Sequence, residues 1–445
     1  MRARSSLVLT CTAVLLAACG GGGGGDDPVA APLTCSVPDR KDWLREYMGQ
    51  WYLWAASSPS PDPAPFASVD DYLQALLYTG DAQVPADRFS YSQSTESFER
   101  FFGAGRTLGY GLFVAGIEVE GRPDLPLRIR HLEPRSDAAA QGLRRGEQIV
   151  TVNGRPASEL IAANDFEILV PQVVGERLAL VVRGPGGDRS VTLTAGIYDL
   201  TPVPTEALVA TAGGRRVGYV MVKDMVSQAD GPLASAFARF RADGVSEVVV
   251  DLRYNGGGQV SVGRNLASYV NAGRTAGRTY VDLLYNAQRA PDHDQRFRFA
   301  DPAAALALSR VYVLSGPRTC SASEQVVNGL RPFVDVVLVG DTTCGKPVGF
   351  LPRADGCGTT YSVVNFESRN AVGDGRYYDG LAPTCGAADD LDRPLGDPAE
   401  GLLAAALSHV DRGVCPVGAP PVSPLGLRAA PPQRLPRDRE GRTVH

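Results

Sequence analysis

The stretch Ser309-Arg-Val-Tyr-Val-Leu-Ser-Gly-Pro-Arg-Thr-Cys-Ser321-Ala-Ser-Glu-Gln-Val-Val-Asn-Gly-Leu330 runs on through Val334-Asp-Val-Val-Leu-Val-Gly340 to Cys344-Gly-Lys346. Residues 309–314 are mostly apolar and read as a short buried strand. Residues 323–330 read as a helix ending at Asn328-Gly329, and residues 334–340 as a second apolar strand. That order is one βαβ unit, in which the two strands run parallel and the crossover returns the chain to the same end. The segments after both strands therefore leave at one edge of the sheet. Ser321 and Lys346, 25 residues apart in sequence, become neighbours.

Their pairing has chemical meaning. A serine is a poor nucleophile until a neighbouring base takes its proton, and a lysine serves as that base when burial lowers its pKa. A third apolar strand, residues 247–252 (Glu-Val-Val-Val-Asp-Leu), runs into Arg253-Tyr-Asn-Gly-Gly-Gly258. Glycines directly after a buried strand leave backbone N–H groups that can face a substrate. With the N–H of Ala322 at the helix start, Gly257 or Gly258 forms a candidate oxyanion site. All of these groups fall beyond the carboxyl ends of strands, where open α/β sheets place their sites.

Asp251-Leu-Arg-Tyr-Asn-Gly-Gly-Gly258, Ser321-Ala-Ser-Glu324, Gly345-Lys346, Tyr378-Asp-Gly-Leu-Ala-Pro383 and Pro394-Leu-Gly-Asp397 occur in one order over about half the chain. On these motifs the chain resembles the C-terminal processing, or tail-specific, serine peptidases. The resemblance implies an α/β catalytic domain of the ClpP/crotonase-like type and a Ser321/Lys346 dyad. It implies peptide-bond hydrolysis with no metal or organic cofactor. Many members carry a glutamine four residues after the lysine; here that position is Phe350.

Plainer readings compete. Ser321 with Glu324 is also the pattern of a helix capping box, and both roles are compatible. Gly340-Asp-Thr-Thr-Cys-Gly-Lys346 has the spacing of a phosphate-binding loop, but Pro347 stands where magnesium binding needs Ser or Thr. The four histidines, His131, His293, His409 and His445, accompany none of the sheet-edge motifs, so a histidine-based triad has little support.

Residues 1–18 have a basic start followed by an apolar run too short to span a bilayer, the pattern of a secretory signal. Leu16-Ala-Ala-Cys19 resembles a bacterial lipobox, which makes Cys19 the expected lipidation site. Gly20 after it favours the outer membrane. Residues 19–34 read as a flexible tether, and 416–445, rich in proline and arginine, as a disordered tail. The expected location is the bacterial cell envelope, as an outer-membrane lipoprotein facing the periplasm or the cell surface. Loss of Arg2 and Arg4 with the leader takes the formal charge from −5 to −7. An acidic body without a basic cluster excludes nucleic acid as a natural partner. Cys35, Cys320, Cys344, Cys357, Cys385 and Cys415 are an even set for an oxidising compartment. Their pairing is not readable, although a Cys320–Cys344 bridge would staple the two loops of the dyad. The absence of any Cys-x-x-Cys pair argues against zinc.

The body divides into three. Residues 35–104 suit a small helical domain with Trp43, Trp51 and Trp54 as core anchors. Residues 105–198 are mostly strand-like, and residues 134–154 resemble part of a PDZ domain. Such domains add a peptide as a strand to a sheet edge. The resemblance implies Gly109-Tyr110-Gly111-Leu112-Phe113 as the loop that takes a terminal carboxylate, with Leu112 and Phe113 lining an apolar pocket. Residues 199–415 form the catalytic α/β domain, in which 288–298, around His293, reads as a surface loop. The expectation is a lipid-anchored serine endopeptidase acting on polypeptides with a C-terminal tail. The rival is a non-catalytic envelope lipoprotein that binds peptides through its PDZ surface. Substrate identity and oligomeric state are not readable from the chain.

Overall fold

In the computed structural model, which describes residues 31–416, the deciding stretch forms the strand Arg310–Ser315, the helix Ala322–Leu330 and the strand Asp335–Gly340. The two strands pair in parallel, from Arg310 opposite Asp335 to Ser315 opposite Gly340. They belong to a six-stranded sheet in the order Thr205–Ala210, Arg216–Met221, Glu247–Asp251, Arg310–Ser315, Asp335–Gly340, Cys385–Gly386. The first pair is antiparallel and every later pair parallel.

Alternate side chains of these strands enter two different cores, as a pleated strand requires. Val220, Val248, Val250, Val311, Val313 and Leu338 pack with Phe237 and Phe240 of the helix Asp230–Ala242, Leu266 of Val260–Ser268 and Val327 of Ala322–Leu330. Val217, Tyr219, Val249, Tyr312, Leu314 and Val339 lie under Leu403, Ala406 and Val410 of the helix Gly401–Arg412. Burial on both faces is why the strands read as unbroken apolar runs.

The N-terminal helices Val37–Trp51 and Val69–Leu76 are capped by Ser36 and Ser68, whose side chains accept from the N–H groups of Asp39 and Asp71. Their buried residues do not close on a separate core: Trp43, Tyr47, Trp51, Tyr72 and Phe89 join the same cluster as Val220, Val313 and Phe366. Trp43 and Trp51 are buried, and half-buried Trp54 stacks on Tyr78 at 5.2 Å.

Residues 288–298 are not an irregular surface loop. Gln295–Arg298 pairs antiparallel with Thr279–Tyr285, and His293 is buried against the edge of the Trp51 ring at 4.7 Å. Short period and heavy charge hid this hairpin, since within Gln295–Arg298 only Phe297 packs inward.

A separate antiparallel sheet joins Leu112–Val114, Leu127–Leu132, Gln148–Val152, Arg177–Gly184 and Gly187–Thr194 around Ile129, Ile149, Leu160, Leu178 and Leu193. The architecture is thus an α/β unit, a β-rich unit and N-terminal helices. Among the described residues, no helix is long and apolar enough to cross a membrane. The segment expected to be a secretory signal, Cys19 and the residues beyond 416 expected to form a tail lie outside the described residues.

Candidate active site

Ser321 sits at the turn between the strand Arg310–Ser315 and the helix Ala322–Leu330, with φ 53° and ψ −119°. A non-glycine residue held at positive φ is strained, and such strain persists only where surrounding contacts fix it. The contacts are present. Thr319 Oγ1 donates to Leu252 O at 2.8 Å, the Cys320 N–H donates to Asn255 O at 3.1 Å, and Ser323 Oγ donates to the same oxygen at 3.0 Å. The serine turn is therefore pinned to the end of the strand Glu247–Asp251.

The lysine loop is pinned to the serine turn by one buried carboxylate. Glu324 accepts from the Ser321 N–H at 2.9 Å, the Lys346 N–H at 2.8 Å, the Gly345 N–H at 2.9 Å and Thr343 Oγ1 at 2.5 Å. Burial pushes the Glu324 pKa up, and these hydrogen bonds oppose that rise by favouring the anion. Glu324 thus does more than cap its own helix. A disulfide joins Cys320 to Cys344, and the Cys344 N–H donates to Thr319 O at 3.0 Å, so the two loops are tied covalently as well. The other bridges are Cys35–Cys357 and Cys385–Cys415.

Tyr378 to Leu381 back the lysine loop: the Leu381 N–H donates to Thr343 Oγ1 at 2.7 Å, and Gly345, at φ +80°, lies so close to Tyr378 O that an added Cβ would be 2.2 Å away. From the N-terminal segment, the Arg88 guanidinium donates to the carbonyls of Cys344 and Tyr378, each at 3.2 Å.

The Lys346 side chain is fully buried. Burial lowers its pKa to about 7, against the opposing pull of the Asp87 and Glu324 carboxylates. Its Nζ lies 3.8 Å over the Phe350 ring and 5.8 Å from that of Phe89. Asp87 is itself tied down, accepting from Tyr52 OH at 2.6 Å, Ser90 Oγ at 2.5 Å and the N–H of Phe89 at 2.8 Å. The sequence gives no sign of Asp87, Arg88 and Phe89 in this role. They carry no periodicity and reach the lysine only through long-range packing; the single local clue to Phe350 was its spacing from Lys346.

The glycine turn separates its two candidates. The Gly257 N–H donates to Asn255 Oδ1 at 2.8 Å, so it is not aimed at a substrate. This corrects its assignment: the short Asn-Gly-Gly spacing closes a local side-chain turn on it. Gly258, at φ +131°, approaches Met225 O so closely that a Cβ would be 2.3 Å away. Among the described residues, the N–H groups of Gly258 and Ala322 donate to no acceptor.

Residues 109–113 belong to a different sheet from the strands that carry the serine and lysine loops, in and beside the edge strand Leu112–Val114 of the β-rich sheet. Tyr110 and Leu112 are packed in that sheet's core. They do not stand open as a pocket lining here. Gly111 has φ +75°, and the carbonyls of Tyr110 and Gly111 accept from the N–H groups of Ala138 and Glu133. Phe113 touches the α/β unit, with Lys223 Nζ 4.8 Å over its ring. Arg145 makes a further link not apparent from the sequence. Its guanidinium donates to Tyr254 OH at 2.5 Å and Asp389 Oδ1 at 2.6 Å, next to the glycine turn. His131, His293 and His409 contact Phe113, Trp51 and Tyr312 respectively.

A serine on a strained strand-to-helix turn is thus tied to a buried lysine at the carboxyl edge of a parallel sheet. Residues 216–373 match the peptidase family S41 and residues 39–91 the peptidase S41 N-terminal domain. A crystal structure described as an S41 protease from Bacteroides fragilis NCTC 9343 is similar to this chain, with a TM-score of 0.65 and 26% identity, over 83% of this chain and 97% of that one. The chain is 26% identical over 291 residues to the chloroplastic carboxyl-terminal-processing peptidase 1 of Arabidopsis thaliana, covering 64% of this chain and 57% of the relative. It is 23% identical over 259 residues to the carboxy-terminal processing protease CtpB of Bacillus subtilis, covering 56% and 50%. It thus spans between half and three-fifths of the length of these curated relatives.

Proposed function

We propose that the chain is a serine endopeptidase that hydrolyses peptide bonds of exported polypeptides. Ser321 Oγ attacks the scissile carbonyl as neutral Lys346 takes its proton. The N–H groups of Ala322 and Gly258 stabilise the oxyanion, and Lys346 returns the proton to the leaving amine. Water then attacks the acyl-enzyme with Lys346 again as base, which frees Ser321. Each step needs an amine that is unprotonated near neutral pH. The observation that carries the reading is the fully buried Lys346, its pKa lowered to about 7, with its main chain on the same carboxylate as that of Ser321.

The β-rich unit is the proposed reader of the substrate's C-terminal tail, by strand addition beside Leu112–Val114 with the loop at 109–113 receiving the carboxylate. In support, Leu112–Val114 ends its sheet, and Arg145 links the unit to Tyr254 beside the glycine turn. Lipid attachment at Cys19 in the cell envelope completes the proposal.

Turnover of an unfolded protein such as casein, or of a tagged peptide with a free carboxyl terminus, tests it. Ser321→Ala and Lys346→Ala should each lose activity by at least about 10³-fold while keeping the wild-type melting profile or better. A Ser321→Ala protein that cleaves at the wild-type rate would refute the assignment.

A further inference from the structure

The lysine pocket is lined by an aromatic face where a hydrogen-bonding side chain would be the obvious orienting group. Phe350 ends the strand Val348–Phe350, and its pairing with Val364–Arg369 shifts register between Gly349 and Phe350. Such an irregularity re-aims a side chain. Gly349 permits it, because a Cβ there would lie 2.2 Å from the Phe366 ring. Tyr91 then packs edge-on against Phe350 at 5.7 Å, holding the ring beneath Lys346 Nζ at 3.8 Å.

We propose that Phe350 is a positioning residue for Lys346, whose ring face receives the ammonium formed when the lysine takes the proton of Ser321. This rests on the assignment of Lys346 as the base. A ring face attracts a cation through its quadrupole and holds a neutral amine far less. The contact therefore strengthens as the proton arrives, which is the condition for accelerating a step rather than binding its ground state. The Asp87 and Glu324 carboxylates also favour the ammonium, so the ring face adds to their pull rather than replacing it. Both carboxylates are held by their own donors, and the Arg88 guanidinium is turned to the carbonyls of Cys344 and Tyr378.

The test compares kcat and KM against pH for the wild type, Phe350→Met, Phe350→Leu, Phe350→Tyr and Lys346→Ala, with melting temperatures alongside. Phe350→Met keeps an apolar filler without a ring and should lower kcat about tenfold at unchanged KM. Its acidic limb should move down by about one pH unit, because the ammonium loses a stabilising partner. Phe350→Tyr keeps the face and should keep both properties. Phe350→Leu repeats the Met comparison if that variant does not fold. Wild-type kcat and acidic limb in the ringless variants would overturn the proposal, as would equal losses in Phe350→Tyr and Phe350→Met. Wild-type turnover by Lys346→Ala would overturn the base assignment itself, whatever Phe350 does.

Discussion

The Glu324 carboxylate accepts the main-chain N–H of Lys346 at 2.8 Å, and the same oxygen, Oε2, accepts that of Ser321 at 2.9 Å. The proposed nucleophile and base are thus referenced to one atom. Glu324→Gln replaces part of an acceptor-only group with an NH2 that faces N–H donors. The expected cost is about 2–4 kcal/mol of stability together with a fall in kcat of at least about 100-fold. Thermal melting and steady-state kinetics on one preparation check both. A Glu324→Gln protein with wild-type kcat would reduce Glu324 to a helix cap.

Stability should depend on pH through Lys346. Burial depresses its folded pKa to about 7 from the ordinary lysine value of 10.5, so between those values the unfolded chain holds a proton that the folded chain has lost. Stability contributed at this position therefore rises with pH across that window, by at most about 1.4 kcal/mol per pH unit, and is lowest below pH 7. Lys346→Met should abolish turnover yet stabilise the fold by an amount of order 2–5 kcal/mol at pH 6, and flatten the pH dependence. Denaturant titrations from pH 6 to 10 measure this; a destabilised Lys346→Met protein with an unchanged slope would contradict it.

The Cys320–Cys344 bridge closes a short loop across the site, with a sequence separation of 24. Removing it as a Cys320→Ser, Cys344→Ser pair should cost about 2–4 kcal/mol and lower kcat by more than tenfold, because both loops then rely on Glu324 and one backbone bond. The Cys35→Ser, Cys357→Ser pair should lower the melting temperature with kcat nearly intact, since that bridge joins residues outside the site. Equal kcat effects in the two pairs would count against a local role.

Gly258→Ala places a Cβ against Met225 O and removes a backbone conformation only glycine adopts easily. Turnover should drop by about 10²–10³-fold, chiefly in kcat, as expected when an oxyanion donor is displaced. Burst kinetics with an activated ester would report the loss in acylation directly.

The βαβ unit and the serine–lysine juxtaposition were legible because buried parallel strands show as apolar runs and the topology of the crossover has one favoured hand. The glycine turn was legible in type only: the choice between Gly257 and Gly258 depended on where the Asn255 amide group points. Asp87 and Phe89 were invisible, since they reach Lys346 across hundreds of residues of sequence from the irregular stretch after the helix Val69–Leu76, in an N-terminal segment that shares the α/β core. The hairpin around His293 was missed because its anchor, the Trp51 ring, lies in that distant segment.

The chain contains only three lysines, Lys41, Lys223 and Lys346, so each can be followed individually. Carbon-13 labelling at the lysine ε-carbon in a Ser321→Ala background, titrated by NMR from pH 5 to 11 and assigned with Lys346→Met, measures the decisive property. A midpoint for Lys346 near 7 is expected; a midpoint near 10, with the fold intact, would contradict a neutral lysine base at this site.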